Sequence, residues 1–232
     1  MRETGSARRG SKIAKRYLLC GACMLFLCSP IFGSTEHQAR IWSGIDVLGE
    51  FKSSNYLYNF NLQSRHSNDP REYFDFRNEL GFGYKLTPTL SAWLGYTGFL
   101  PNPPRNRQNR IWEQLLWGPI NICQFSLISR TRFEQRKDDH QPEWSNRFRE
   151  RLILSFPQKK ITPLIYDEIF FNLNTTVWTS NKFFDQNRIF VGFLIPVDKH
   201  SNFQIGYLNV YSLRPMRDRI EHVLSLNLNI TP

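Results

Sequence analysis

Two runs of sequence, Gln124-Phe-Ser-Leu-Ile-Ser-Arg-Thr-Arg-Phe-Glu-Gln-Arg136 and Asn146-Arg-Phe-Arg-Glu-Arg-Leu-Ile-Leu-Ser-Phe156, flank the polar stretch Lys137-Asp-Asp-His-Gln-Pro-Glu143. In the first run Arg130, Arg132, Glu134 and Arg136 share one parity. In the second Arg147, Arg149 and Arg151 share one parity, opposite Phe148, Leu152, Leu154 and Phe156. A period of two defines a β-strand with one charged and one apolar face. Two such strands joined by a polar connection predict a hairpin. Six arginines on one face require open water, a partner, or the polar interior of a barrel whose other face meets lipid.

The alternation recurs along the whole chain after Ser34, and no helical periodicity interrupts it. Tyr56, Tyr58, Phe60 and Leu62 alternate with Asn59, Asn61, Gln63 and Arg65. Phe74, Phe76, Leu80, Phe82 and Tyr84 oppose Asp75, Arg77, Glu79, Gly81, Gly83 and Lys85. Arg40 to Leu48, Leu90 to Thr97, Thr162 to Asn174, Gln186 to Ile195, Phe203 to Leu213 and Arg219 to Ile230 behave alike, and Arg110 to Trp117 forms a less regular strand closed by Gly118-Pro119. This gives about eleven strands of roughly 10 to 15 residues, against about 5 or 6 in globular sheets. Strands of about 10 residues, tilted, cross the apolar part of a bilayer.

Short connections near residues 87, 118, 158 and 198 alternate with longer polar ones near 69, 104, 140, 179 and 216, the asymmetry of outer-membrane barrels. The expectation is an all-β, closed antiparallel up-and-down transmembrane barrel of 10–12 strands. Twelve is favoured because bacterial single-chain barrels have even strand numbers. A periplasmic sandwich or lipocalin-like barrel would alternate as well, but its apolar parity would face one shared core.

The chain has 232 residues, 41% hydrophobic and 22% charged, a composition that folds. Its formal charge of +10 would invite nucleic acid if it were evenly spread. Residues 1–33, however, read as a secretory signal peptide. Arg2, Arg8, Arg9, Lys12, Lys15 and Arg16 precede the apolar run Tyr17 to Leu27, and Pro30, Gly33 and Ser34 mark a cleavage zone. The alternative, a single anchoring helix, needs about 20 apolar residues. Removing the leader leaves 24 basic and 19 acidic residues, so no nucleic-acid partner is expected. One barrel domain, 34–232, remains. Cys20, Cys23 and Cys28 leave with the leader, and Cys123 is then alone, without a disulfide or a cysteine metal site.

Five motifs in register carry a family resemblance: Arg130-Thr-Arg-Phe-Glu-Gln-Arg136, Arg147-Phe-Arg-Glu-Arg-Leu152, Tyr166-Asp-Glu-Ile-Phe-Phe-Asn-Leu173, Phe184-Asp-Gln-Asn-Arg188 with Gly192, and Gly206-Tyr-Leu208. On these the chain resembles the bacterial domain-of-unknown-function 2490 family. The resemblance implies an exported β-barrel of Gram-negative bacteria, located in the outer membrane or, alternatively, the periplasm. It implies no activity and supplies no catalytic residue.

The candidate site is a lumen charge network of Arg130, Arg132, Glu134, Arg136, Arg147, Arg149, Arg151, Glu168 and Arg188, with Arg77, Glu79 and Asp185 on other strands. Such a network either plugs a narrow barrel as ion pairs or forms an anion-selective passage or oxyanion site. The plug is favoured, because side chains fill most of a barrel this small. No G-x-S-x-G elbow or strand-borne Ser–His pair supports hydrolysis, and no H-x-x-H or Asp-rich loop supports a metal. The leading reading is therefore a structural or small-solute barrel without cofactor. The alternatives are an outer-membrane lipid-modifying enzyme and a periplasmic binding barrel. Trp42, Trp117, Trp144 and Trp178 read as interfacial girdle residues, with Trp93 and Trp112 as exceptions. Trp42, Trp112 and Trp117 could instead form a sugar platform. Arg105, Arg107, Lys182, Arg214, Arg217 and Arg219 in the loops would face water or lipopolysaccharide phosphates. Expected partners are outer-membrane lipid, lipopolysaccharide and small anionic solutes.

Overall fold

The structure, a computed structural model, describes residues 35–232 apart from 53, 70–73, 103–106 and 215–216. The expected leader lies outside the described residues. The unit 34–232 is built from β1 (Glu36–Glu50), β2 (Tyr56–Ser67), β3 (Phe74–Thr87), β4 (Leu90–Asn102), β5 (Gln108–Ile122), β6 (Phe125–Asp138), β7 (Trp144–Ser155), β8 (Thr162–Asn172), β9 (Phe184–Pro196), β10 (Ser201–Ser212) and β11 (Arg219–Ile230). Each strand pairs antiparallel with its neighbour in sequence, and β11 returns to β1 to close the barrel.

Eleven strands correct the expected twelve and the expected all-antiparallel ladder. In an up-and-down chain, strands of odd number run one way and those of even number the other. The first and eleventh strands therefore share a direction, and the barrel can close only through a parallel seam. That seam runs from Glu36 beside Arg219 to Val47 beside Ile230. The strand read as ending at Gly118-Pro119 instead continues to Ile122, with a register shift between Trp117 and Ile120. Proline lacks the N–H that a regular ladder needs, and an irregularity of this kind accommodates it.

One end of the barrel carries residues 51–52 and 54–55, 88–89, 123–124, 156–161 and 197–200, together with the C-terminus. The other carries the described residues of the remaining connections, 68–69, 107, 139–143, 173–183, 213–214 and 217–218, and residue 35.

Burial is inverted relative to a water-soluble fold. Arg132, Glu134, Arg147, Arg149, Asp75, Glu79 and Glu168 are buried, while Ile41, Leu80, Leu94, Ile111, Leu152, Ile165, Val191 and Leu224 are exposed. The polar parity of each strand therefore points inward. An apolar cluster of Trp42, Leu164, Tyr166, Phe190, Leu208, Val210 and Val223 fills part of the same interior. Eight strands already leave an interior just wide enough for side chains, so eleven need large ones. The glycines of the polar parity make room for them. Gly83 pairs with Trp93 and Gly95 with Trp112 across adjacent strands. A Cβ on Gly95 would strike the Trp112 ring and the Leu80 carbonyl oxygen.

Candidate functional site

Three carboxylates organise the interior. Glu79 on β3 accepts a bidentate pair of hydrogen bonds from Arg132 Nη1 and Nη2 on β6 at 3.0 and 2.9 Å. It also accepts from Thr97 Oγ1 at 2.9 Å and from Arg77. Glu134 on β6 accepts from Arg147 Nη2 at 2.6 Å and Nε at 3.0 Å, and from Arg149. Arg147 turns its other arm to Asp185 at 3.0 Å. Glu168 on β8, fully buried, accepts from Arg130 at 2.6 Å, Arg149 at 2.7 Å and Arg151 at 2.8 Å, with Arg188 at 3.6 Å.

Three of these pairs join strands that are not neighbours, Arg132 of β6 with Glu79 of β3, Arg130 of β6 with Glu168 of β8, and Arg147 of β7 with Asp185 of β9. The fork of arginine matches a carboxylate in two places at once, so each link also fixes geometry. Guanidinium faces are covered as well: Arg132 lies 3.8 Å over Trp112, and Arg147, Arg149 and Arg188 lie 4.6–4.8 Å from Phe170. Such stacking is worth about 0.5–2 kcal/mol each, more when water is excluded.

Eight of the nine residues named from sequence thus meet in ion pairs. The ninth, Arg136, differs. It donates to Ser145 Oγ at 2.8 Å and Asn172 Oδ1 at 3.2 Å and has no carboxylate partner among the described residues.

Above these hubs, toward the longer connections, the interior opens into a vestibule of about 450 Å³. Among the described residues its wall holds seven arginines, Arg40, Arg65, Arg110, Arg136, Arg147, Arg188 and Arg214, against three carboxylates, Asp75, Asp185 and Glu221. Arg40 is held by Asp75 at 3.3 Å and Glu221 at 3.2 Å. Sequence reading put Arg40 and Arg65 on the polar parity without singling them out. It took Arg110 as the start of an irregular strand. The usable signal was β5 itself, whose Gln108, Arg110, Trp112 and Gln114 keep the inward parity.

Tryptophan placement also differs from the girdle expected. Trp42 is buried inside, with Arg65 3.9 Å over its ring. Trp93 and Trp112, the expected exceptions, are also inside, whereas Trp117 and Trp144 are exposed as a girdle requires. Trp42, Trp112 and Trp117 therefore form no common platform. Arg219, read both as the start of the last strand and among the basic loop residues, opens β11 and is buried beside Glu36 at 3.4 Å and Glu221 at 3.9 Å.

A separate polar chain runs along the outer face at the parallel seam. Thr35 Oγ1 lies 3.3 Å from His37, His37 lies 3.1 Å from His222, and His222 lies 2.6 Å from Tyr207 Oη. Among the described residues no group of three His, Cys, Asp or Glu is arranged to hold a metal.

The family model described as "protein of unknown function (DUF2490)" matches residues 39–221. An uncharacterized protein of Methylorubrum extorquens is 27% identical over 222 residues, covering 92% of this chain and 96% of its own length. No solved structure matches.

Proposed function

The chain belongs to the DUF2490 family of proteins of unknown function, and from that premise we propose an exported, membrane-spanning barrel of the bacterial outer membrane whose interior is closed by ion pairs. The inverted burial carries this reading: charges lie inside, and large apolar side chains cover the outside. In water the exposed leucines, isoleucines and phenylalanines would forfeit roughly 25 cal/mol for each Å² left unburied. Lipid removes that penalty, and closure leaves no strand edge for lipid to face. Strand length agrees. Strands of 11–15 residues at about 3.3 Å per residue, tilted by about 40°, rise roughly 28–38 Å, enough for the ~25 Å apolar band of such barrels.

The interior favours a plug over a passage. Arg132 of β6 reaches Glu79 of β3 across the lumen, Glu134 and Glu168 gather arginines of β6, β7 and β9 along its wall, and Trp42, Phe170, Phe190 and Trp112 fill the spaces between. Lipid and lipopolysaccharide are the partners of the outer face. Fractionation tests the location: the protein should leave the outer membrane only in detergent and migrate differently on gels before and after heating. Recovery as a soluble periplasmic protein would overturn it. Planar-bilayer recording tests the plug, and steady single-channel conductance would refute it.

A second reading, a lipid-modifying enzyme, draws on the Thr35–His37–His222–Tyr207 chain. It puts a hydroxyl, a base and an orienting group in series on the outer face. Release of fatty acid or lysolipid by the purified protein, lost in His37→Ala, would establish it.

A further inference from the structure

We infer that the vestibule is a binding site for a small phosphate-bearing anion. The first ground is a charge imbalance among the described residues of the wall. Arg110 and Arg136 stand directly opposite each other on β5 and β6, and like charges in that relation destabilise a sheet. Arg110 donates only to Gln108 Oε1 at 3.0 Å, and Arg65 only to Gln63 Oε1 at 2.8 Å. Neither they nor Arg136 meets a carboxylate among the described residues. A buried cation without a counter-ion is costly, and among the described residues none of these three has a carboxylate within ion-pair distance, so an anion held on this wall would be stabilised.

The second ground is how these side chains are held. Arg65 is stacked 3.9 Å over Trp42, Arg110 lies 5.9 Å from Phe99, and Arg136 lies 5.2 Å from Trp178. Stacking occupies the guanidinium faces and leaves N–H edges free. The Nε of Arg110 and Arg136 is buried without an acceptor, as it is in several ion-paired arginines of the interior, so a ligand would be met by the terminal guanidinium nitrogens. Fixed, planar donors with open edges are the arrangement that binds oxyanions bidentately. The cavity, about 450 Å³, falls within the range of about 300–1,000 Å³ usual for small-molecule sites. A phosphate group with two or more charges suits three unneutralised guanidiniums better than a single carboxylate. The same group could arrive on a free solute or on a lipid headgroup. The inference rests on the closed barrel and holds whether or not the barrel lies in lipid.

The test uses the folded protein from whichever fraction contains it, titrated calorimetrically with pyrophosphate at constant ionic strength, and in parallel with micelles containing phosphatidic acid. Saturable binding of either supports the site; pyrophosphate alone marks a soluble ligand, and phosphatidic acid alone a headgroup. The double variant R65Q/R110Q, verified as folded by circular dichroism and heat-modifiable migration, should bind about tenfold or more weakly, since hydrogen bonds to charged groups are lost. Arg110→Lys keeps the charge but not the planar fork and should also weaken binding. Wild-type protein that binds neither probe, or a folded double variant with unchanged affinity, would overturn the inference. Neither result depends on where the protein fractionates, so a failure here is separable from a failure of the membrane reading.

Discussion

Neutralising Glu168 should be the most damaging isosteric change in the barrel. The carboxylate is fully buried and stands among Arg130, Arg149, Arg151 and Arg188. Glu168→Gln keeps the shape but replaces a charge with an amide that has one acceptor oxygen, so two or more guanidiniums lose their counter-ion. Breaking a buried pair from one side costs about 3–5 kcal/mol. At about 2–4 °C per kcal/mol for a domain of this size, the melting midpoint should fall by roughly 6–20 °C. The assay is thermal unfolding in detergent, followed by tryptophan fluorescence and by loss of the heat-modifiable band. Glu50→Gln is the control, because Glu50 and its partner Lys85 are 56% and 39% exposed. Exposed pairs contribute about 0–1 kcal/mol, so that variant should stay within about 4 °C of wild type. If Glu168→Gln melts no lower than Glu50→Gln, the interior is open and hydrated, and the ion-pair plug is wrong.

Leu80, mid-strand and half exposed, separates lipid from water. Leu80→Arg should cost about 2–4 kcal/mol if it faces the bilayer midplane, seen as reduced insertion into vesicles, and about 0.5 kcal/mol or less if it faces water. Gly95→Ala places a methyl group against Trp112 and the Leu80 carbonyl and should destabilise by about 1–3 kcal/mol through overpacking; an unchanged denaturation midpoint would mean that Trp112 does not occupy the lumen. Cys123 is exposed in the short connection between β5 and β6. With short turns periplasmic, an impermeant maleimide should label it only after the outer membrane is permeabilised, and labelling of intact cells would reverse the orientation.

Sequence alone determined which residues share a face, because a strand's period of two is a local property of the backbone. Arg130 to Arg136, Arg147 to Arg151, Glu168 and Arg188 declare their parity without any tertiary information, and with it the all-β, barrel-like character of the chain. Strand number lay close to hand as well. The alternation gave eleven segments, and only the general rule of even numbers argued for twelve. What the sequence left open was what meets what across the lumen. Whether Glu79 on β3 reaches Arg132 on β6, or Glu168 on β8 reaches Arg130 on β6, depends on curvature and stagger, which bring together residues from strands that are not adjacent. The register between neighbouring strands, which the parity of a single strand leaves open, set Trp42 beside Arg65, Gly95 beside Trp112 and Arg110 opposite Arg136. A strand pattern assigns each side chain a face. Only the closed barrel assigns it a neighbour, and the charges left unneutralised there are what point to a ligand.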